Sequence, residues 1–350
     1  MSAAHDDASK LTILIASPLE DEHVARIRAF DPDRFEVIHE PDLLAKPRYV
    51  ADHHGVPLTL DEEQKARWSA LLKRADILFD FDRADAANMP VNAPKLRWVQ
   101  ATSSGIGEYL RRTGLDKSDI AFTTASGVHA RPLAEFTMLG LLYFFRDVPY
   151  LNAEKAQHRF QRYTARGLEG ARVLVVGLGS LGAAVAADCA RFGLEVWGTR
   201  RRSGMEAPEG VSRLVDQREI RSVLPEVDAL VLACPLTDET RRLIDTAEIR
   251  ALKPGAVVIN ISRGQVVNEA AMIDALSSGH LRGAALDVFE VEPLPKESPL
   301  WDLPNVLISP HSASTVEAEN RRIIDIFLDN LGRFSRREPL VNLYDRTRGY

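Results

Sequence analysis

Apolar residues along the chain fall into short runs, separated by stretches in which apolar positions return every three or four residues. In the first third, LTILIAS (11–17), FEVIHE (35–40), DILFDF (76–81), LRWVQATSSG (96–105) and AFTTAS (121–126) read as strands. LEDEHVARIRAF, between the first two, has helical spacing with acids in its opening turn. Asp61 is placed to cap a helix running to about Arg74. Residues 41–60 carry Pro41, Pro47, Gly55 and Pro57 without periodicity and are expected to form a loop that is ordered or partly mobile. Strands alternating with helices predict a parallel sheet.

The pattern changes at Arg131, where RPLAEFTMLGLLYFFRDV predicts one long apolar helix to Val148 with Pro132 in its first turn. It is too short and too interrupted to span a membrane, so core or interface is its expected place. Residues 150–170 are polar and mixed in charge, and a surface passage is expected there. Strand-like runs then resume at 171–176, at LEVWGT, and at DALVLACPL (228–236), AVVINI (256–261), GAALDV (283–288) and NVLISP (305–310). Helices such as NEAAMIDALSSG lie between them, and a final helix is expected at about 314–334, followed by a polar tail.

The stretch 171–200, ARVLVVGLGSLGAAVAADCARFGLEVWGTR, organises the rest. A strand runs into Gly177, Gly179 and Gly182, and small helix-forming residues follow up to Gly193. Gly177 would permit the turn, Gly179 would let backbone approach a pyrophosphate, and Gly182 would let helix and strand pack closely. With Ser180 and Leu181 opening the helix, this is a candidate dinucleotide site.

Composition narrows the function classes. At 350 residues the chain is expected to form two domains. Its 44 basic and 50 acidic residues give a net charge of −6, with the basic residues dispersed, so neither nucleic acid nor a membrane surface is an expected partner. Cys189 and Cys234 lie in apolar contexts that suit buried thiols of a reducing compartment, and the polar N-terminus has no hydrophobic leader, so a cytoplasmic protein is expected. His53 and His54 are adjacent in the 41–60 loop, but no cysteine or acidic set joins them at ligand spacing, and no metal is expected.

Three strand ends carry the candidate chemistry: Asn260-Ile261-Ser262-Arg263-Gly264, Asp287 to Leu294 with Glu290 and Glu292, and Ser309-Pro310-His311-Ser312. If the strands share one sheet, Arg263, Glu292 and His311 emerge at the edge where the dinucleotide lies. A nicotinamide that exchanges hydride with a carbonyl carbon needs a group that orients the substrate and one that protonates the developing alkoxide. Arg263 can grip a carboxylate or keto oxygen with two hydrogen bonds, His311 can donate and recover the proton, and Glu292 beside it would favour the imidazolium.

These residues resemble the NAD(P)-dependent D-2-hydroxyacid dehydrogenases over most of the chain from about Leu96 to Asn320. The resemblance is strongest in GLGSLG, CPLTDETRRLID, INISRGQVVNEAAMIDALSSGHLRGAALDVFEVEPLP and SPH. It implies that Arg263 binds substrate, Glu292 orients the histidine and His311 is the general acid/base. It further implies that Ser103, Ser104, Gly105 and Ile106 form the loop whose amides hold the substrate carboxylate. Asp287 would meet the nicotinamide amide, Cys234 and Pro235 would line the adenosine side, and Ile261 would join them in binding cofactor. The implied fold is α/β, with two Rossmann-like or flavodoxin-like parallel-sheet domains. The cofactor domain, 128–312, would be inserted into a substrate domain formed by 1–127 and 313–350. A homodimer is implied, with the helix near 131–148 at the interface.

The implied reaction interconverts a 2-oxo acid and its (R)-2-hydroxy acid, of glyoxylate or hydroxypyruvate type or larger. Two alternatives stand beside it: a formate-dehydrogenase-like enzyme, against which Glu292 argues because those enzymes resemble this pattern with glutamine there, and a corepressor-like NAD(P)-sensing protein. NAD-selective sites usually end the second strand with Asp or Glu, but here Arg200, Arg201 and Arg202 stand there. Arg200 and Arg201 can pair with a 2′-phosphate, so NADP(H) is favoured and NAD(H) is possible. Ser126, where an asparagine is frequent, and the Ser-Ala-Ser after His311 bear on substrate detail.

Overall fold

The computed structural model describes residues 10–82, 84–200 and 206–349, which divide into two units. One is formed by the described residues up to Val128 and from Thr315 onward, the other by His129–Ser314. In the first unit the five early apolar runs become β1 (Leu11–Ile15), β2 (Phe35–Ile38), β3 (Ile77–Phe79), β4 (Trp98–Gln100) and β5 (Ala121–Thr123). They pair in the order β2-β1-β3-β4-β5, every pair parallel. Both faces of β3 and β4 are buried, as a parallel sheet covered by helices requires. Asp61 caps the helix Glu62–Leu72 through a reciprocal pair: its carboxylate accepts from the Gln64 amide at 2.8 Å, and the Gln64 side chain accepts from the Asp61 amide at 3.0 Å.

The late helix Glu319–Arg336 completes this unit by burying Ile323, Ile324, Phe327 and Leu331, with the Phe327 ring 5.2 Å from both Phe79 and Trp98. It begins at Glu319 and not at about 314. Small hydroxylated residues precede it, the Ser312 hydroxyl bonds locally to the Pro310 carbonyl, and the apolar stripe starts only at Ile323.

The second unit contains β6 (Arg172–Val176), β7 (Glu195–Arg200), β8 (Val211–Asp216), β9 (Ala229–Leu232), β10 (Ala256–Asn260), β11 (Leu281–Leu286) and β12 (Val306–Ile308). Their order is β12-β11-β10-β9-β6-β7-β8, all parallel. Alternate residues feed two cores, Leu174, Val176, Leu230 and Leu232 on one face and Val173, Val175, Ala229 and Val231 on the other. The order reverses at β6, which lies between β7 and β9. Ligands of open α/β sheets bind outside the carboxyl ends of the strands at such a reversal.

The helix expected to run from 131 to 148 spans Ala130–Phe145, and a second helix, Val148–Ala156, follows it after a short break. Asp147 between them adopts the left-handed conformation, φ 56°, and Pro149 falls in the first turn of the second helix. Arg282 from β11 fixes the break by donating to the Phe144 carbonyl at 2.9 Å and pairing with the Asp147 carboxylate. The passage expected at 150–170 is therefore helical to Ala156. β8, absent from the sequence reading, is an edge strand whose SRL centre is exposed, so it carries no apolar run.

Candidate active site

The turn after β6 is built by backbone contacts that exclude side chains. Gly177 has φ +96°, and a Cβ there would lie 2.8 Å from the Cα of Cys234, which follows β9. A Cβ on Gly182 would meet the Gly177 carbonyl oxygen at 1.9 Å, so only glycine lets the helix Ser180–Arg191 start this close to its strand. At Gly179 a Cβ would meet nothing within 4 Å. The open side of the turn is thus at Gly179, where the helix begins without a side-chain cap. Its first backbone bond runs from the Ala183 amide to the Gly179 carbonyl, leaving the amides of Ser180, Leu181 and Gly182 ahead of it. That donor set fits a pyrophosphate.

Three loops leave the same sheet edge after β10, β11 and β12. After β10, Asn260 shapes the turn: its side-chain oxygen accepts from the Ser262 amide at 3.1 Å and its amide group donates to the Arg263 carbonyl at 3.2 Å. Ile261 and Ser262 are buried. Arg263 donates to the Ser262 carbonyl at 2.7 Å. After β11, the Glu292 carboxylate accepts from the Phe289 amide at 3.0 Å and from His311 Nδ1 at 2.8 Å. Burial pushes the Glu292 carboxyl up, but the His311 and Phe289 hydrogen bonds, with the charges of His311 and Arg263, outweigh it and hold the group below its ordinary value.

His311, after β12, sits at φ 54°, unusual for a side chain other than glycine. Its amide donates to the Asp287 carbonyl at 2.9 Å, and the Asp287 carboxylate brackets the turn, accepting from the Ser309 hydroxyl at 2.6 Å and the Ala313 amide at 2.9 Å. Asp287 is buried, so these bonds satisfy a carboxylate that would otherwise be costly there. The imidazole is left 44% exposed, open to a ligand, with Nδ1 committed to Glu292.

The Arg263 and Glu292 loops are locked together. A Cβ on Gly264 would lie 1.8 Å from the Phe289 carbonyl carbon, the Gln265 side chain donates to the Glu290 carbonyl at 2.9 Å, and the Glu290 amide donates to Glu269 at 3.0 Å. Asn260, Gly264 and Ser309 stand in the strand-end stretches named from sequence but carried no role there, and Gln265 carried none either. An asparagine closing an apolar strand was the one available signal, since asparagine disfavours strands and mimics turns.

The remaining candidates lie as follows. Burial pushes the Cys234 thiol up to about 11, so it packs under Gly177 as a neutral group, and Pro235 beside it is exposed. Arg200 ends β7, donating to the Glu206 carbonyl at 2.9 Å, while Arg201 lies outside the described residues. In the other unit, Ser103, Ser104 and Gly105 are exposed after β4 and Ile106 is buried. The Ser103 carbonyl accepts from the Ala125 amide and the Ser104 hydroxyl donates to the Ala125 carbonyl, both at 3.0 Å. His53 is buried with Nε2 3.8 Å from Glu319. Among the described residues no three His, Cys, Asp or Glu side chains group as metal ligands, and no helix is long and apolar enough to cross a membrane.

A parallel sheet reversing beside a glycine turn, with a carboxylate-paired imidazole and an arginine loop at one edge, defines a dinucleotide-binding protein of the α/β class. Residues 138–313 match the family model described as D-isomer specific 2-hydroxyacid dehydrogenase, NAD binding domain. The chain belongs to that family. It is 33% identical over 262 residues to the glyoxylate reductase of Korarchaeum cryptofilum, covering 73% of this chain and 77% of that one. It is 33% identical over 289 residues to the D-3-phosphoglycerate dehydrogenase of Mycobacterium bovis, covering 76% of this chain but 52% of that one, so it spans about half the length of that relative. A D-isomer specific 2-hydroxyacid dehydrogenase from Xanthobacter autotrophicus Py2, solved in complex with NADPH and MES, superposes with a TM-score of 0.79 at 30% identity, covering 98% of this chain and 100% of that one.

Proposed function

We propose that the protein interconverts a 2-oxo acid and the corresponding (R)-2-hydroxy acid with NADP(H), NAD(H) being the second choice, in the cytoplasm and as a homodimer. The observation that carries the reaction is the 2.8 Å bond between His311 Nδ1 and Glu292, at the sheet edge that also carries the glycine turn. Glu292 fixes the imidazole ring and stabilises its positive charge, and His311 Nε2 gives its proton to the oxygen of the substrate carbonyl as that oxygen gains charge. Arg263 binds the substrate's carboxylate or keto oxygen, and the amides of loop 103–106 hold the carboxylate. Bound reduced nicotinamide supplies the hydride. Gly177, Gly179, Ser180, Leu181 and Gly182 hold the pyrophosphate, with Cys234, Pro235 and Ile261 along the dinucleotide and Asp287 toward the carboxamide. The argument for the 2′-phosphate is Arg200 at the end of β7, where a carboxylate would select NAD. The Xanthobacter relative bound to NADPH supports the same preference.

The test is loss of absorbance at the reduced-nicotinamide band with NADPH or NADH against glyoxylate, hydroxypyruvate, pyruvate, 2-oxobutyrate and phenylpyruvate. Turnover that disappears in His311→Gln, with NADPH binding retained, is the expected result. Cofactor binding without turnover of any 2-oxo acid would overturn the proposal in favour of a sensing protein.

A further inference from the structure

Residues 341–349 carry no regular element, yet their backbone is tied to the rest of the unit at several points. The Val341 amide donates to the Asn330 side chain at 2.7 Å, and Asn330 is fully buried in the late helix. From there the chain runs antiparallel along the open edge of β5. Thr123 bridges Leu343, the Thr124 amide donates to the Asn342 carbonyl at 3.0 Å, and the Tyr344 amide donates to the Phe122 carbonyl at 2.8 Å. Covering an edge strand would need only these backbone bonds. Three further features lie beyond that need, and all converge on the two flanks of loop 103–106.

The first is Asn342, held at φ 56°, whose side-chain amide donates to the Ser126 carbonyl at 2.8 Å and the Thr124 carbonyl at 3.3 Å. Between those two residues stands Ala125, which accepts from the Ser104 hydroxyl and donates to the Ser103 carbonyl. The second is Tyr344, buried in the same core cluster as Ile106, Leu110 and Phe122. The third is Gly349, whose carbonyl oxygen lies 1.9 Å from where a Cβ on Gly107 would be. Gly107 opens the helix that follows the loop, so only glycine admits this contact. Asp345 folds the chain back to reach it, accepting from the amides of Thr347 and Arg348 on its side chain and of Gly349 on its carbonyl.

We propose that segment 341–349 is a clasp that fixes loop 103–106 for carboxylate binding, with Asn342 as its positioning residue. The proposal rests on the reading that this loop holds the substrate carboxylate. A loop that donates backbone amides to an anion works only if those amides point together, and small misorientations are felt in affinity before they are felt in stability.

Asn342→Asp is isosteric and tolerates the left-handed backbone, but it removes both donations and sets a carboxylate against two carbonyl oxygens. Gly107→Ala displaces Gly349 while leaving the Asn342 bonds untouched. Each is made in the full chain and measured by the Kd of oxamate, an unreactive 2-oxo acid analogue, on the NADPH-loaded protein, by the KM for glyoxylate, and by the Kd of NADPH and the Tm. The expected result is a roughly 5- to 30-fold rise in oxamate Kd for Asn342→Asp, with a smaller rise for Gly107→Ala and NADPH Kd within about twofold. A merely structural segment would lower Tm and the active fraction while leaving oxamate Kd unchanged, and that outcome in both variants overturns the clasp. Gly105→Pro, which deletes one loop amide, separates the two readings. If it weakens oxamate while the clasp variants do not, the clasp is wrong and the loop reading stands. If it leaves oxamate binding unchanged, the loop reading fails and the clasp fails with it.

Discussion

Replacing Gly264 with alanine tests the coupling between the arginine and carboxylate loops without touching a group that does chemistry. The added Cβ would lie 1.8 Å from the Phe289 carbonyl carbon, 1.9 Å from its oxygen and 2.3 Å from the Glu290 nitrogen. All three are backbone atoms, so no side chain can swing aside. Ordinary contact begins near 3.4 Å, and the two loops must therefore part by about 1.6 Å, the difference between 3.4 and 1.8 Å. The Gln265–Glu290 bond of 2.9 Å spans the same gap and is lost in the process. Overpacking of this kind costs about 1–3 kcal/mol of stability. The larger effect is on orientation, because the displaced segment carries the Phe289 amide that holds Glu292 against His311. A misplacement of about 1 Å can lower kcat/KM on the order of 100-fold, or about 2.7 kcal/mol in the barrier. The measurement is kcat/KM for the best 2-oxo acid, alongside NADPH Kd and Tm. A protein that folds, binds NADPH normally and keeps kcat/KM within about twofold of wild type would refute the argument that this backbone approach sets the site.

Gly179→Ala supplies the contrast: its Cβ meets nothing within 4 Å, so Tm of the unliganded protein should not move, whereas NADPH affinity should fall because the methyl occupies the open side of the turn. Unchanged NADPH Kd would place the pyrophosphate elsewhere. Glu292→Gln keeps the shape beside His311 but removes the charge, and should lower kcat roughly tenfold or more. Because the folded state holds the Glu292 carboxyl below its ordinary 4.5, wild type gains stability over this variant above that pH and loses the gain as pH falls through the lowered value. A Tm difference that stayed constant from neutral pH into acid would contradict the sign. Arg200→Asp should move the ratio of kcat/KM for NADPH over NADH toward NADH by roughly tenfold or more, and an unmoved ratio would mean the 2′-position is read by other residues.

Where packing is local or repeats with a period, the chain states its structure openly. The alternation of Val173 to Val176 between two cores, the Asp61 cap and the glycine turn all follow from side-chain size and backbone freedom within a few residues. The helix end just before Pro149 was legible to within three residues, but its exact place at Phe145 was not, because Arg282, which bonds the break, is remote in sequence. β8 was missed for a related reason: an edge strand that exposes Ser212, Arg213 and Leu214 has no apolar run, and only its pairing with β7 makes it a strand.

The candidate site divides along the same line. Arg263, Glu292 and His311 could be named because chemistry demands particular side chains, and such residues at strand ends stand out. The roles of the residues that hold them were hidden: Gly264 meets backbone of a segment that reaches it only in the folded sheet, the Asn260 side chain shapes its own turn, and the Asp287 carboxylate brackets residues 22 and 26 positions further on. A glycine required for close approach, with φ outside the left-handed region, looks like any other glycine in sequence. Its reason is the other chain segment. Some of the residues that set orientation in this site are therefore ones that composition and motif conceal, and substitution at a position such as Gly264, which contributes no reacting atom, should still lower turnover.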